Sequence, residues 1–121
     1  MKTISSFFIL FFPLFGTFFS KYKDPKPLIF AEIFTPNSDG NNDFFVIQNI
    51  EEYPINKIHI FNRNGDKVYD AEPYLNDWNG VSNVSGLSLG KKLIEGTYFY
   101  RFEYLIGDFE MYKSGKVILM R

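Results

Sequence analysis

The stretch Thr97-Tyr-Phe-Tyr-Arg-Phe-Glu-Tyr-Leu-Ile106 is rich in residues that favour β-strands, and it is the longest strand that the sequence predicts. Side chains alternate between the two faces of a strand, so every second residue shares a face. One of the two sets is aromatic or aliphatic throughout, and we expect it to face the core. This set consists of Tyr98, Tyr100, Phe102, Tyr104 and Ile106.

A hairpin is predicted upstream of this strand. The segments Lys57 to Arg63 and Asp66 to Asp70 both favour strands, and Asn64-Gly65 separates them. Asn-Gly between two strands is typical of a type I′ turn, because both central residues must adopt positive φ. The hairpin would therefore turn at Asn64 and Gly65.

Shorter segments of strand length complete the pattern. They are Leu28 to Phe34, Phe44 to Gln48, Phe109 to Lys113 and Lys116 to Arg121. Ser114-Gly115, between the last two, is the expected place of a bulge or bend. About seven short strands with turn residues between them and no helical periodicity predict an all-β, antiparallel sandwich, with a small barrel as the alternative.

The N-terminus is typical of a signal peptide. Lys2 precedes an apolar run from Phe7 to Phe19, which is shorter than a membrane-spanning helix requires. We expect a signal peptide over residues 1–20, a proline-containing linker over 21–27 and the β domain over 28–121. The chain would be exported through the inner membrane with no membrane span once the signal is removed, and the alternatives for the apolar run are an uncleaved anchor or a buried hydrophobic strand.

Composition and motifs argue against several functions. The net charge is −1 without a basic run, so nucleic acid is not an expected partner. Cysteine is absent, which excludes disulfides and thiol catalysis. The single histidine, His59, falls inside a predicted strand, where a solvent-facing role is the simple interpretation. No catalytic residue is predicted, and the sequence favours a binding module over an enzyme.

The loop from Thr35 to Asp43 allows two interpretations. Oxygen-bearing side chains occupy alternate positions around Gly40, namely Asn37, Asp39, Asn41 and Asp43. Such a pattern could bind calcium, which would be the one cofactor predicted for this chain. Alternatively, these side chains brace the turn through their own hydrogen bonds, and this interpretation is favoured.

Trp78 also allows two interpretations. A lone tryptophan in a β protein is usually a core or lid residue. If Trp78 and the tyrosines of the long strand were instead exposed, they would offer an aromatic platform for a glycan.

Five blocks, in this order, resemble the gliding-motility-associated C-terminal domain, the type B sorting domain of Bacteroidetes type IX secretion. The blocks are Phe34-Thr-Pro-Asn-Ser-Asp-Gly-Asn-Asn-Asp43, Ile60-Phe-Asn-Arg-Asn-Gly65 with Val68-Tyr69, Asn76-Asp-Trp-Asn-Gly80, Gly96-Thr-Tyr-Phe-Tyr100, and Val117 to Arg121. One position departs from the family: Asn64 stands where a tryptophan is usual. The motif residues expected to shape the fold are Pro36, Asn37, Asp39, Gly40, Asp43, Trp78, Gly80, Gly96 and Tyr98.

The resemblance implies an immunoglobulin-like sandwich that acts as an address label. Such domains are recognised by the type IX machinery after Sec export and carried through the outer membrane, with help from a barrel-type outer-membrane partner. The expected location is the cell surface or the extracellular space. Here no cargo would separate the signal from the label. The alternative is a surface module that binds calcium or a glycan.

Partner recognition is expected at the hairpin and at the C-terminal strand. The residues concerned are Arg63, Asn64, Gly65, Val117, Ile118, Leu119, Met120 and Arg121. If the last strand lies at a sheet edge, it could pair with a strand of the partner. It could equally be locked inside the sheet.

Overall fold

The computed structural model describes residues 24–86 and 89–121. The signal peptide predicted for residues 1–20 and the first three residues of the linker lie outside these residues. In the part of the chain that is described, no helix is long and apolar enough to cross a membrane.

The described residues form one 3-10 turn and seven strands, and the strands belong to two sheets. In chain order they are β1 (Ile29–Phe30), β2 (Ile33–Phe34), β3 (Ile47–Gln48), the 3-10 turn Ile50–Glu52, β4 (Asn56–Phe61), β5 (Lys67–Ala71), β6 (Gly96–Ile106) and β7 (Phe109–Leu119). One sheet pairs β1 with β3, and the other has the order β2-β7-β6-β4-β5. The fold is the predicted all-β, immunoglobulin-like sandwich and not a closed barrel.

The segment predicted as one strand, Leu28 to Phe34, serves both sheets. The Ala31 N–H still donates to the Val46 carbonyl of the small sheet, at 3.1 Å. One residue later, the Glu32 carbonyl accepts the Ile118 N–H of the large sheet, at 2.9 Å. The chain therefore crosses between the layers at this point, and β2 pairs with β7 in parallel although the other strand pairs are antiparallel.

The aromatic face of β6 forms the centre of the core, as predicted. Tyr98, Tyr100, Phe102 and Tyr104 are all buried. Phe30, from the small sheet, stacks on Tyr100 with 4.9 Å between ring centroids. Ile106 was expected on this face too, but it is 39% exposed, because it lies at the end of β6 beside the chain reversal to β7.

The bulge expected at Ser114-Gly115 is absent, and the prediction was wrong. β7 runs unbroken through both residues, and its pairing with β6 keeps one register from Gly96 to Ile106. Glycine is needed at position 115 for another reason: an added Cβ would lie 2.6 Å from Cζ of Tyr100, which is directly opposite. The irregularity of this sheet lies instead between β4 and β5, next to Phe61.

The predicted hairpin is present, but its turn is not of type I′. Gly65 has a φ of 86°, whereas Asn64 is not among the residues with positive φ. The Gly65 N–H donates to the Asn62 carbonyl at 3.0 Å, and the Asn62 N–H donates to the Asp66 carbonyl at 2.9 Å. The loop is therefore a three-residue one in which only the glycine is left-handed, the next most common hairpin geometry.

The described end of the predicted linker is held against the domain. The Lys26 N–H donates to a carboxylate oxygen of Glu52 at 2.9 Å, and the Tyr53 hydroxyl donates to the Lys26 carbonyl at 2.7 Å. Any fusion that relies on the folded domain should therefore retain the chain from residue 24 onward.

Candidate functional site

Trp78 is the point at which four of the five sequence blocks meet. It is fully buried, and its ring centroid lies 5.1 Å from that of Phe34, 5.7 Å from that of Tyr69 and 5.8 Å from that of Tyr98. Its indole N–H donates to the Val81 carbonyl at 3.1 Å. Trp78 is thus a core residue with its polar atom satisfied, and the glycan platform proposed for these rings is wrong because they are buried.

Tyr74, which the sequence did not single out, positions Trp78. The Tyr74 hydroxyl donates to the Phe45 carbonyl and accepts the Trp78 N–H at 3.1 Å. The Phe45 N–H in turn donates to the Trp78 carbonyl at 3.0 Å. The only signal in the sequence was a large aromatic residue four positions before Trp78, in a connection rich in glycine, serine and asparagine.

We expect this aromatic cluster to make the fold sensitive to alkali. Burial raises the pKa of the Tyr74 phenol, and burial together with the neighbouring Asp77 raises the pKa of Tyr69. Both phenols ionise more readily in the unfolded chain, where the pKa is about 10. Their contribution to stability is therefore complete below about pH 10 and is lost as the pH rises above it.

Titration followed by tyrosinate absorbance and circular dichroism together will check this expectation. Tyr69 and Tyr74, whose pKa values are raised, should ionise in the same pH interval in which the fold is lost. Complete ionisation of every tyrosine near pH 10, with the fold retained, would contradict it.

Arg121 ties the C-terminus to three separate segments. Its guanidinium donates to the carbonyls of Pro36 at 3.2 Å, Gly80 at 3.3 Å and Leu93 at 2.7 Å. We call Pro36, Gly80, Leu93, Leu119 and Arg121 the C-terminal cluster. Arg121 was predicted to recognise a partner, and in this structure its donors are engaged by carbonyls of its own chain.

Gly80 closes the C-terminal cluster because no larger residue fits there. Its φ is 82°, and an added Cβ would lie 2.8 Å from Cδ1 of Leu119 and 3.2 Å from Nη2 of Arg121. The Trp78 block therefore contacts both the last strand and the loop from Thr35 to Asp43, which we call the opening loop. Gly96, another motif glycine, begins β6 directly opposite Leu119.

The end of β7 is locked inside the sheet, which decides between the two alternatives for the last strand. Val117 and Leu119 are fully buried. The Ile118 N–H donates to the Glu32 carbonyl at 2.9 Å, and the Met120 N–H donates to the Phe34 carbonyl at 3.1 Å. Of the apolar residues predicted here for recognition, only Ile118 (41% exposed) and Met120 (45% exposed) present side chains to a partner.

An apolar stripe crosses the outer face of the large sheet, on the side opposite the core. It consists of Ile33, Ile118, Phe99 and Phe61, from four neighbouring strands. Of these, Phe61 is half-buried and the other three are exposed. Phe61 pairs with Phe99, so the exposed hairpin loop Arg63 to Gly65 lies at the same end of the sheet as this outer-face stripe.

The side chains of the opening loop accept hydrogen bonds from the loop's own backbone. Asp43 accepts from the N–H groups of Asn37 at 3.2 Å, Ser38 at 2.9 Å and Gly40 at 2.8 Å. Asp39 accepts from the Asn41 N–H at 2.8 Å. Across residues 24–86 and 89–121, no three acidic or histidine side chains are grouped to hold a metal. The geometry favours the bracing interpretation, and calcium binding stays a prediction.

We expect Asp43→Ala to destabilise the domain by about 1–3 kcal/mol, because three N–H groups lose a charged acceptor. Asp39→Ala, which removes the acceptor of a single N–H, is the matched control and should cost less. Thermal melting with excess calcium and with chelator completes the test. Equal midpoints are expected in both, whereas a midpoint that rises with calcium would favour the metal site.

Comparison with known families identifies the domain type. A model of the CHU_C type IX secretion signal domain matches residues 28–119. This interval contains four of the five blocks and most of the fifth, as well as all seven strands. A search of curated proteins found no matching sequence.

Proposed function

Because the chain belongs to the family of CHU_C type IX secretion signal domains, we propose that residues 28–121 direct export across the outer membrane by the type IX secretion system. Family membership supports a sorting role and implies a partner in the secretion machinery. It also implies a destination at the cell surface or outside the cell. Passage through the inner membrane, directed by residues 1–20, would precede recognition. The domain would act as a binding module and not as an enzyme.

The family match carries the sorting proposal, and the outer-face stripe indicates where the secretion machinery would bind. Three exposed apolar side chains on adjacent strands, Ile33, Ile118 and Phe99, offer a surface of the kind that protein partners contact. In the described part of the chain, the small sheet covers the opposite face and leaves this one open. We propose that an outer-membrane, barrel-type protein of the machinery contacts the stripe, with Arg63 to Gly65 at its border.

The test is export of a reporter inserted between residues 23 and 24 of the full chain, which we call the reporter chain. Ile118→Glu places a charge in the centre of the stripe. Ile55→Glu is the matched control, because Ile55 is also exposed but precedes Asn56 at the other end of the sheet. Thermal melting of each variant confirms that it folds.

We expect the intact reporter chain and Ile55→Glu to reach the cell surface, and folded Ile118→Glu to remain in the periplasm. Export of folded Ile118→Glu at the level of the intact chain would refute the role of the stripe.

A further inference from the structure

The greater part of β7 has a free edge. β2 contacts only its end, where Ile33 pairs with Ile118 and Phe34 with Leu119. The Ile118 and Met120 N–H groups point to the β2 side, away from β6. Backbone groups alternate in direction along an antiparallel strand. The N–H and C=O groups of Glu110, Tyr112 and Ser114 therefore also point away from β6, and no segment within residues 24–86 or 89–121 pairs with them.

Two other exposed strand edges are capped by asparagine side chains. The Asn76 amide accepts from the Ile47 N–H at 2.9 Å and donates to the Ile47 carbonyl at 3.2 Å, which covers β3. The Asn83 amide makes the same two bonds with Asp70 on β5, at 2.9 and 2.6 Å. Each amide takes the place of a neighbouring strand. The free edge of β7 has no such cap among the described residues.

The side chains along this edge indicate what it would bind. Lys113 and Lys116 are exposed, and within the described part of the chain neither lies within ion-pair distance of a carboxylate. Tyr112 is exposed, with the Arg101 guanidinium 3.9 Å from its ring centroid. Glu110 lies at the start of this edge, and the part from Met111 to Lys116 carries two lysines and no carboxylate, which makes that part complementary to an acidic segment.

We propose that the free edge of β7, from Glu110 to Lys116, binds an extended, acidic strand of the secretion machinery by β-strand addition. The inference rests on the proposed sorting function and names the form of the contact. Unpaired N–H and C=O groups would supply the affinity, and carboxylates opposite Lys113 and Lys116 would supply selectivity. A second copy of this chain is the alternative occupant, since antiparallel pairing of two such edges would place Glu110 opposite Lys116, and sedimentation distinguishes it from the partner strand.

Ser114→Pro in the reporter chain tests the contact. Proline removes the Ser114 N–H, which points to the free edge, and leaves the hydrogen bonds between β6 and β7 in place. Ser114→Ala is the control. A second variant, Lys113→Glu with Lys116→Glu, reverses the charge of the edge without altering the backbone. Lys91→Glu with Lys92→Glu, exposed residues of the connection before β6, is its control.

Three measurements give the outcome: export, thermal melting, and sedimentation of the purified chain. We expect at least a tenfold loss of export in folded Ser114→Pro and in the double lysine reversal, with both controls exported normally. If Ser114→Pro does not fold, the lysine reversal decides.

Normal export of the edge variants while Ile118→Glu is retained would overturn the edge inference alone. Retention of the intact reporter chain would overturn the sorting function and the inference with it. If the intact chain sediments as a dimer and Ser114→Pro as a monomer, the free edge of β7 binds a second copy of this chain and not a strand of the machinery.

Discussion

Removal of Val117 to Arg121 is expected to abolish folding of the domain, and not merely to weaken recognition. Val117 and Leu119 are fully buried, and Arg121 binds three carbonyls from segments far apart in the chain. Loss of a single buried aliphatic side chain costs about 2–5 kcal/mol, against a total stability of about 5–15 kcal/mol for a typical domain. The truncation removes two such side chains together with the pairing of β2.

Circular dichroism and thermal melting of the chain that ends at Lys116 will show this effect. The control is Ile118→Ala with Met120→Ala, which alters the same segment at exposed positions and should change stability by about 1 kcal/mol or less. A cooperative transition near the intact midpoint in the truncated chain would contradict the expectation. Since truncation removes core residues, its effect on export cannot identify the recognition surface, and folded surface variants are needed.

Trp78→Ala should have the second largest effect, a loss of about 3–5 kcal/mol in the free energy of unfolding. The indole is fully buried and contacts Phe34, Tyr69 and Tyr98. These rings belong to strands β2, β5 and β6, so the cavity would open where several elements of the fold meet.

Urea unfolding of three variants separates the loss of the buried ring from the loss of the indole hydrogen bond. Trp78→Phe keeps a ring but loses the indole hydrogen bond to Val81, and it should cost less than Trp78→Ala. Tyr112→Ala truncates an exposed aromatic residue and should leave the midpoint almost unchanged. A midpoint for Trp78→Ala equal to that of the intact chain would show that Trp78 does not support the core.

Local patterns explain how far the sequence predicted the fold. The alternation along Thr97 to Ile106 and the turn signal Asn64-Gly65 act within a few residues, and both predicted elements are present. The division of Leu28 to Phe34 between two sheets depends on partners that lie far away in the chain, Val46 and Ile118. The parallel pairing of β2 with β7 has the same origin, and nothing in the segment itself encodes it.

The site was less predictable because much of it consists of contacts with the backbone. Arg121 binds three carbonyls, and any residue type can supply a carbonyl. Asn76 and Asn83 cap strand edges from within a connection whose composition predicted only a loop. By contrast, Trp78 and Gly80 were visible as a motif, and the structure adds the reason for each: a ring cluster and a space too small for a Cβ.

The most direct test of the sorting function is export of the intact reporter chain in two strains that differ only in the type IX machinery. Surface labelling of whole cells, with a periplasmic marker as the control for lysis, measures the exported fraction. The proposed function predicts surface reporter in the competent strain and periplasmic reporter in the strain without the machinery. Equal distribution in the two strains would contradict it.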